Sequence, residues 1–133
     1  MTLLLDTHVW IWSQEAPEKL GRRSAALLQD VSNGVALSAM SVMEIARLVF
    51  LRRVQLGEPP SSWIADSIKA LSATTFDVTT HIAAQAYDLP GSFHKDPVDR
   101  VLVATAREHS LHLVTADDSI LRYSHVKTIS ALR

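Results

Sequence analysis

The sequence predicts an α/β fold: a single domain over residues 1–133, with a mostly parallel central sheet of about five strands flanked by helices. Three observations predict it. Short apolar runs alternate along the chain with segments of helical period, the pattern of strand–helix–strand units whose crossovers set neighbouring strands parallel. The length of 133 residues is enough to bury one substantial core. Hydrophobic residues make up 47% of the chain and charged residues 20%, the balance of an ordinary folded domain and not of a disordered one.

The elements follow in order. Thr2–Leu5 reads as a buried strand that ends at Asp6. Pro17–Val31 reads as a helix with Leu20, Ser24, Leu27, Leu28 and Val31 on one face. Asn33-Gly34 stops it, because glycine tolerates the left-handed conformation past a helix C-terminus. Val35–Ala39 is a second strand, and Ser41 opens a helix to about Arg53. Gly57-Glu58-Pro59-Pro60 breaks that helix, and Ser61 or Ser62 caps another through Leu71. Thr75–Val78 is a third strand, followed by a short helix from about His81 to Asp88 and a loop at Pro90-Gly91. Asp96-Pro97 starts a helix with Asp at the cap and Pro in the first turn, and Val98, Val101, Leu102 and Ala106 form its buried stripe. Leu111–Thr115 and Val126–Ile129 are the last two strands, separated by a turn or short helix near Asp117–Leu121.

Composition removes several classes of function. With no cysteine there are no disulfides, thiolate metal sites or thiol nucleophiles. Leu3-Leu4-Leu5 is too short for an export signal and is interrupted by Asp6, and no apolar run reaches the length of a membrane span, so a cytoplasmic, membrane-free protein is expected. The four glycines, at 21, 34, 57 and 91, form no phosphate-binding loop. An Asp-x-Asp phosphatase is excluded because position 8 is His, and a receiver-type signalling domain would need paired acids after the first strand and a Lys after Thr115.

The acids are the informative residues. In open parallel sheets ligands bind beyond the carboxyl ends of the strands. Asp6 ends the first strand, Glu44 lies in the helix after the second, and Asp117 follows Thr115 by two residues, while Asp96 and Asp99 open a later helix. Each has a plain structural reading: Ser41-x-x-Glu44 matches a capping box, and Asp6, Asp96 and Asp117 are suited to helix caps. Converging carboxylates are another matter. At a separation of about 5 Å each pair repels by roughly 3 kcal/mol at an effective dielectric of about 20, so a cluster persists only with shared protons or a neutralising cation. Oxygen donors alone select a hard ion, Mg²⁺ or Mn²⁺ in its place.

Four segments carry a family resemblance. Leu3-Leu4-Leu5-Asp6-Thr7-His8, Ser41-Val42-Met43-Glu44-Ile45-Ala46, His94-Lys95-Asp96-Pro97-Val98-Asp99-Arg100 and Leu113-Val114-Thr115-Ala116-Asp117 resemble, in order, the four acidic motifs of PIN domains. The likeness is strongest to VapC-type toxins of bacterial toxin–antitoxin pairs, and it runs from Leu3 to Asp117. It implies a Mg²⁺- or Mn²⁺-dependent ribonuclease held inactive by a small cognate antitoxin, as a homodimer or a toxin–antitoxin hetero-oligomer. Carried over by motif, Asp6, Glu44, Asp99 and Asp117 are the metal-binding, catalytic carboxylates. Asp99 takes the third place because Asp99-Arg100-Val101-Leu102-Val103-Ala104-Thr105-Ala106 resembles the family's Asp-x-x-Ile-x-Ala-x-Ala helix. Asp96 is an auxiliary acid or the helix cap, and Thr7 and Thr115 resemble hydroxyls that orient a carboxylate or a water. Met43 stands where many relatives carry Trp, and Val98 where many carry Phe; no acid is missing. The rival reading is a catalytically silent PIN-like module that binds RNA or a protein.

Lys95 and Arg100 flank the third motif and are candidate RNA contacts; Arg100 is equally suited to pairing with a carboxylate. Trp10 and Trp12 are suited to base stacking or to the core, and His94 lies beside the acids. The helix from Ser41 is apolar nearly all round, so with Trp63 and Ile64 it offers a groove for an antitoxin helix or a dimer contact. The net charge of −1 does not argue against RNA. Setting aside Asp6, Glu44, Asp96, Asp99 and Asp117 leaves nine acids against 13 bases, a surround of +4.

Overall fold

The computed structural model describes all residues, Met1–Arg133. Five strands, β1 (Thr2–Leu5), β2 (Gly34–Ser38), β3 (Thr74–Phe76), β4 (His112–Thr115) and β5 (Thr128–Ser130), form one sheet in the order β3-β2-β1-β4-β5. Every neighbouring pair is parallel. Leu4 in the central strand is in register with Ala36 on one side and Leu113 on the other. The chain winds outward from β1 to β3, then crosses back to lay β4 on the other side of β1. The point where the winding reverses lies between β1 and β4, and the crevice beyond their carboxyl ends is where such sheets take ligands.

Strand alternation builds the two core layers. Leu3, Leu4 and Leu5 are all fully buried, which only a strand covered on both faces allows. Leu3 and Leu5 join Val35, Leu37 and Val114 in one layer, and Leu4 joins Ala36 and Leu113 in the other. The first layer is covered by α1 (Thr7–Glu15), α2 (Arg22–Gln29), α3 (Ala39–Phe50) and α4 (Pro60–Ala70), through Trp10, Leu27, Ile45 and Trp63. The second is covered by α6 (Pro97–His109) and α7 (Asp118–Leu121), with α5 (Thr80–Gln85) packed on α6 through Ile82 and Val101. No helix is long and apolar enough to cross a membrane.

Several boundaries differ from the sequence reading for identifiable reasons. The helix expected over Pro17–Val31 is a short 3-10 turn, Pro17–Lys19, followed by α2. Gly21 separates them: its N–H donates to the Ala131 carbonyl at 2.8 Å, and a Cβ there would lie 2.3 Å from the Arg133 backbone. Val31 is fully exposed instead of buried. Asp30, not Gly34, closes α2, with its carboxylate accepting from the Ser32 N–H and hydroxyl. Gly34 is the first residue of β2, without positive φ. At the next junction Ser38 caps α3, accepting from the Met40 N–H at 3.1 Å, so the helix starts at Ala39 and Ser41 is buried inside it. The Ser41–Glu44 capping box therefore does not form. The Asp96-Pro97 start of α6 is as expected.

The apolar character of α3 is only partly exposed. Met43 is 59% and Phe50 84% exposed. Trp63 does not belong to that surface: it is 4% exposed, packs on Trp10 with ring centroids 5.8 Å apart, and donates its indole N–H to Glu15 Oε1 at 3.2 Å. Urea titration of two variants separates these positions. Trp63→Ala is expected to cost about 3–5 kcal/mol, whereas Phe50→Ser changes stability by no more than about 0.5 kcal/mol.

Candidate active site

The acids are held at the carboxyl edge by the elements that end there. Asp6 follows β1 and caps α1, its Oδ1 accepting from the Thr7 N–H at 2.7 Å. Its other oxygen, Oδ2, accepts from the Thr115 hydroxyl at 2.7 Å, and that hydroxyl accepts from the Asp117 N–H at 3.0 Å. Thr115 is buried at the end of β4, so one hydroxyl ties the two strand ends that flank the winding reversal. The Thr7 hydroxyl does not reach a carboxylate. It donates to Ser41 Oγ at 3.1 Å, joining α1 to the helix that carries Glu44, and Thr7 orients Asp6 through its backbone.

Asp117 caps α7, and its Oδ1 accepts from the Ser119 and Ile120 N–H groups and the Ser119 hydroxyl. Asp96 caps α6, accepting from the Asp99 N–H at 3.1 Å. Glu44 is half-buried on α3. Hydrogen bonds from the chain hold Asp6, Asp96 and Asp117; the carboxylates of Glu44 and Asp99 receive none. Asp99 Oδ2 lies 3.1 Å from His94 Nε2, out of line for a hydrogen bond, so that nitrogen is buried without a hydrogen-bond partner.

All five acids line one cavity of about 330 Å³, together with His8, Trp12 and Ala116. Asp96 thus caps a helix and lines the cavity at once. No lysine or arginine lies within salt-bridge distance of any of the five; the chain's two contacts of that kind are His81–Glu108 and His94–Asp99, which are ionic only when the histidine is protonated and the acid ionised. Protonation reflects this. Burial, reinforced by the charges of Asp6, Asp96, Asp117 and Glu44, pushes the Asp99 carboxyl up to about 8. Burial also raises Asp6, against the hydrogen bonds of Thr115 and Thr7. At Asp117 burial is outweighed by the Ser119 and Ile120 hydrogen bonds, which hold the carboxyl below its usual value. No three of these groups are already gathered as a coordination shell. Their chemistry nevertheless fits a hard divalent cation: several oxygen donors, partly desolvated, with no internal positive partner but one histidine.

The basic candidates part company here. Lys95 is exposed next to the cavity. Arg100 is not available to RNA: its guanidinium donates to the carbonyls of His94, Ala86 and Phe93, each at 2.8 Å, and lies over the Tyr87 ring at 4.8 Å. It clamps the loop that leads into Asp96. Trp10 is core, with its indole N–H on Ser67 Oγ at 2.9 Å, while Trp12 borders the acids with His8 stacked on it at 6.3 Å. His109 packs on Phe76 with ring centroids 4.5 Å apart. Sequence reading missed His8 and Ser119; the Asp117-x-Ser119 spacing of a capped turn was the available signal for the second.

Comparison with known proteins is decisive for the family. Residues 3–126 match the PIN domain. The chain belongs to the PIN domain family. It is 35% identical over 129 residues to Ribonuclease VapC22 of Mycobacterium tuberculosis (strain ATCC 25618 / H37Rv), covering 97% of each chain. Among solved structures, VapBC2 from Rickettsia felis bound to a promoter DNA fragment superposes with a TM-score of 0.69 at 15% identity, covering 97% of this chain and 98% of that one. Mycobacterium tuberculosis VapC20, a sarcin–ricin loop cleaving toxin, gives 0.61 at 19% identity, covering 94% and 98%. These two share the PIN fold.

Two measurements test this account of the PIN site. Between pH of about 4 and about 8 the folded chain keeps a proton on Asp99 that the unfolded chain releases, so in EDTA its stability falls as pH rises through that window. Asp99→Asn removes the effect: by urea unfolding in EDTA it is more stable than wild type, and the gain grows by up to about 1.4 kcal/mol per pH unit from about pH 5 to about pH 8. Arg100→Ala, which leaves three carbonyls without their charged donor, lowers stability by about 2–4 kcal/mol in the same assay.

Proposed function

We propose that this chain is a divalent-metal-dependent ribonuclease that hydrolyses RNA phosphodiester bonds as the cytoplasmic toxin of a toxin–antitoxin pair. The observation that carries this reading is the cavity of five carboxylates, Asp6, Glu44, Asp96, Asp99 and Asp117, unneutralised by any lysine or arginine. The name of the relative with 35% identity, a ribonuclease, supports the same chemistry. Asp6, Glu44, Asp99 and Asp117 would hold the cation. Mg²⁺, with Mn²⁺ as a substitute, suits an all-oxygen donor set. When bound, such an ion offsets charge on the scissile phosphate and lowers the pKa of a water.

The chain's own residues do the rest. Thr115 fixes the rotamer of Asp6 and the start of the Asp117 turn together, so the two strand ends present their acids as one unit. Asp117 turns Oδ1 toward its own helix. Glu44, which no hydrogen bond restrains, is free to orient a water or accept its proton. Asp99 carries its proton near neutral pH and must give it up before acting as a ligand. Lys95 stands exposed beside Asp96, where a phosphate of the RNA would pass. The exposed Met43, Phe50 and Leu51 of and after α3 offer the apolar surface for a small antitoxin or for dimer formation.

Cleavage of structured and unstructured RNAs by pure protein, with and without Mg²⁺ or Mn²⁺, tests the proposal. Wild type is expected to cut only with a cation, and Asp6→Asn to lose at least about 100-fold in rate. Cleavage that survives EDTA, or is unchanged in Asp6→Asn, contradicts it. Failure to cut any RNA while still binding it identifies a silent binding module instead.

A further inference from the structure

A second pocket of opposite character adjoins the acidic one. It measures about 360 Å³ and lies between the Gly91–His94 loop and the Ser119–His125 segment, without a carboxylate in its lining. Two side chains link the pockets. His94 lines the second pocket and places Nε2 3.1 Å from Asp99 Oδ2, and Ser119 lines it while donating its hydroxyl to Asp117 Oδ1. Arg122 stands exposed in the pocket and takes part in neither ion pair of the chain. The Phe93, Tyr123 and His125 rings make its aromatic side: Phe93 and Tyr123 centroids lie 4.8 Å apart, Tyr123 and His125 5.4 Å.

We propose that this pocket binds a nucleotide of the RNA substrate adjacent to the bond that is cut, with Arg122 on its phosphate and the Phe93 and His125 rings, backed by the buried Tyr123, against its base. The inference rests on the ribonuclease reading above and names where that substrate is gripped. Three physical points support it. A polyanion approaching five carboxylates needs a compensating positive group close by, and Arg122 is an unpaired, planar, bidentate donor on the same edge. The volume is within the range of about 300–1000 Å³ typical of small-ligand sites, and single-stranded RNA is held by aromatic side chains beside cationic ones.

The pocket is also pre-formed. Arg100 anchors the Phe93 and His94 carbonyls, and the Tyr123 hydroxyl donates to the Pro90 carbonyl. Gly91 takes a left-handed φ of 68°, which brings the loop beneath the His125 ring and which a side chain would disfavour. The loop and the ring walls are already in place, so of the named groups only the exposed Arg122 side chain has to be ordered on binding.

The test uses the full chain carrying Asp6→Asn, which binds without cutting, and a fluorescent six-nucleotide RNA with 4-thiouridine at successive positions. Photo-crosslinked peptides are expected to carry adducts on Phe93 or His125. Adducts confined to His8 and Trp12, which line the acidic cavity and not this pocket, overturn the proposal, as does absence of RNA binding. By fluorescence anisotropy in the same background, Arg122→Gln is expected to weaken binding about tenfold, Arg122→Lys less than about threefold, and Arg23→Gln on α2 less than about twofold. Equal losses for Arg122→Gln and Arg23→Gln mean general charge attraction and overturn it too. The two readings fail separately: RNA cut by wild type but crosslinked elsewhere removes the subsite alone, and RNA seated in this pocket but never cut removes the nuclease alone.

Discussion

Repulsion among carboxylates that share one cavity is the constraint on which the remaining features depend. A lone buried acid simply takes up a proton; here five acids line about 330 Å³, and at Asp99 the charges of the other four add to burial. Two carboxylates about 5 Å apart repel by roughly 3 kcal/mol at an effective dielectric of about 20, so no such group survives without local compensation. The compensation here is uneven. Asp6, Asp96 and Asp117 are held by hydrogen bonds from helix starts and from Thr115, while Glu44 and Asp99 are left to the field of their neighbours. That unevenness is what a divalent cation would relieve, and it is costly to a protein with no use for one.

The fold puts the acids in this position. Because β1 is central and the winding reverses beside it, residues that follow β1 and β4 emerge next to each other at the same edge. Thr115 then converts proximity into a fixed geometry. Capping and clustering do not compete: Asp6, Asp96 and Asp117 each satisfy a helix start and line the cavity at the same time. A helix N-terminus favours a nearby negative charge, so the same arrangement lowers the cost of bringing those acids together.

Much of this was legible in the sequence because it is local. Alternation of apolar runs with helical segments marked all five strands, and Asp96-Pro97 marked the start of α6. The resemblance of the four acidic segments to PIN domains likewise groups the acids in one family pattern from sequence alone. What was not legible depended on contacts distant in sequence. Ser38 displaces Ser41 as the cap of α3, because Ser41 is needed by Thr7 on another helix. Gly21 interrupts the expected helix because the Arg133 backbone passes against it. Arg100 reads as a free cation beside an acid, yet the carbonyls of Phe93 and His94 in the preceding loop and of Ala86 at the end of α5 consume its fork. Trp63 reads as surface from the apolar excess of its neighbourhood and is core because Trp10 and Glu15 meet it.

A cation bound by this carboxylate cluster, as proposed above, would displace a proton from Asp99. Calorimetric titration of the metal-free protein with Mn²⁺ near neutral pH, repeated in buffers of different ionisation enthalpy, measures both binding and proton release directly. Saturable binding is expected to release protons from wild type and about one fewer per ion from Asp99→Asn, since Asp99 holds its proton up to about 8. Absence of saturable binding, or the same proton release from wild type and Asp99→Asn, would contradict it.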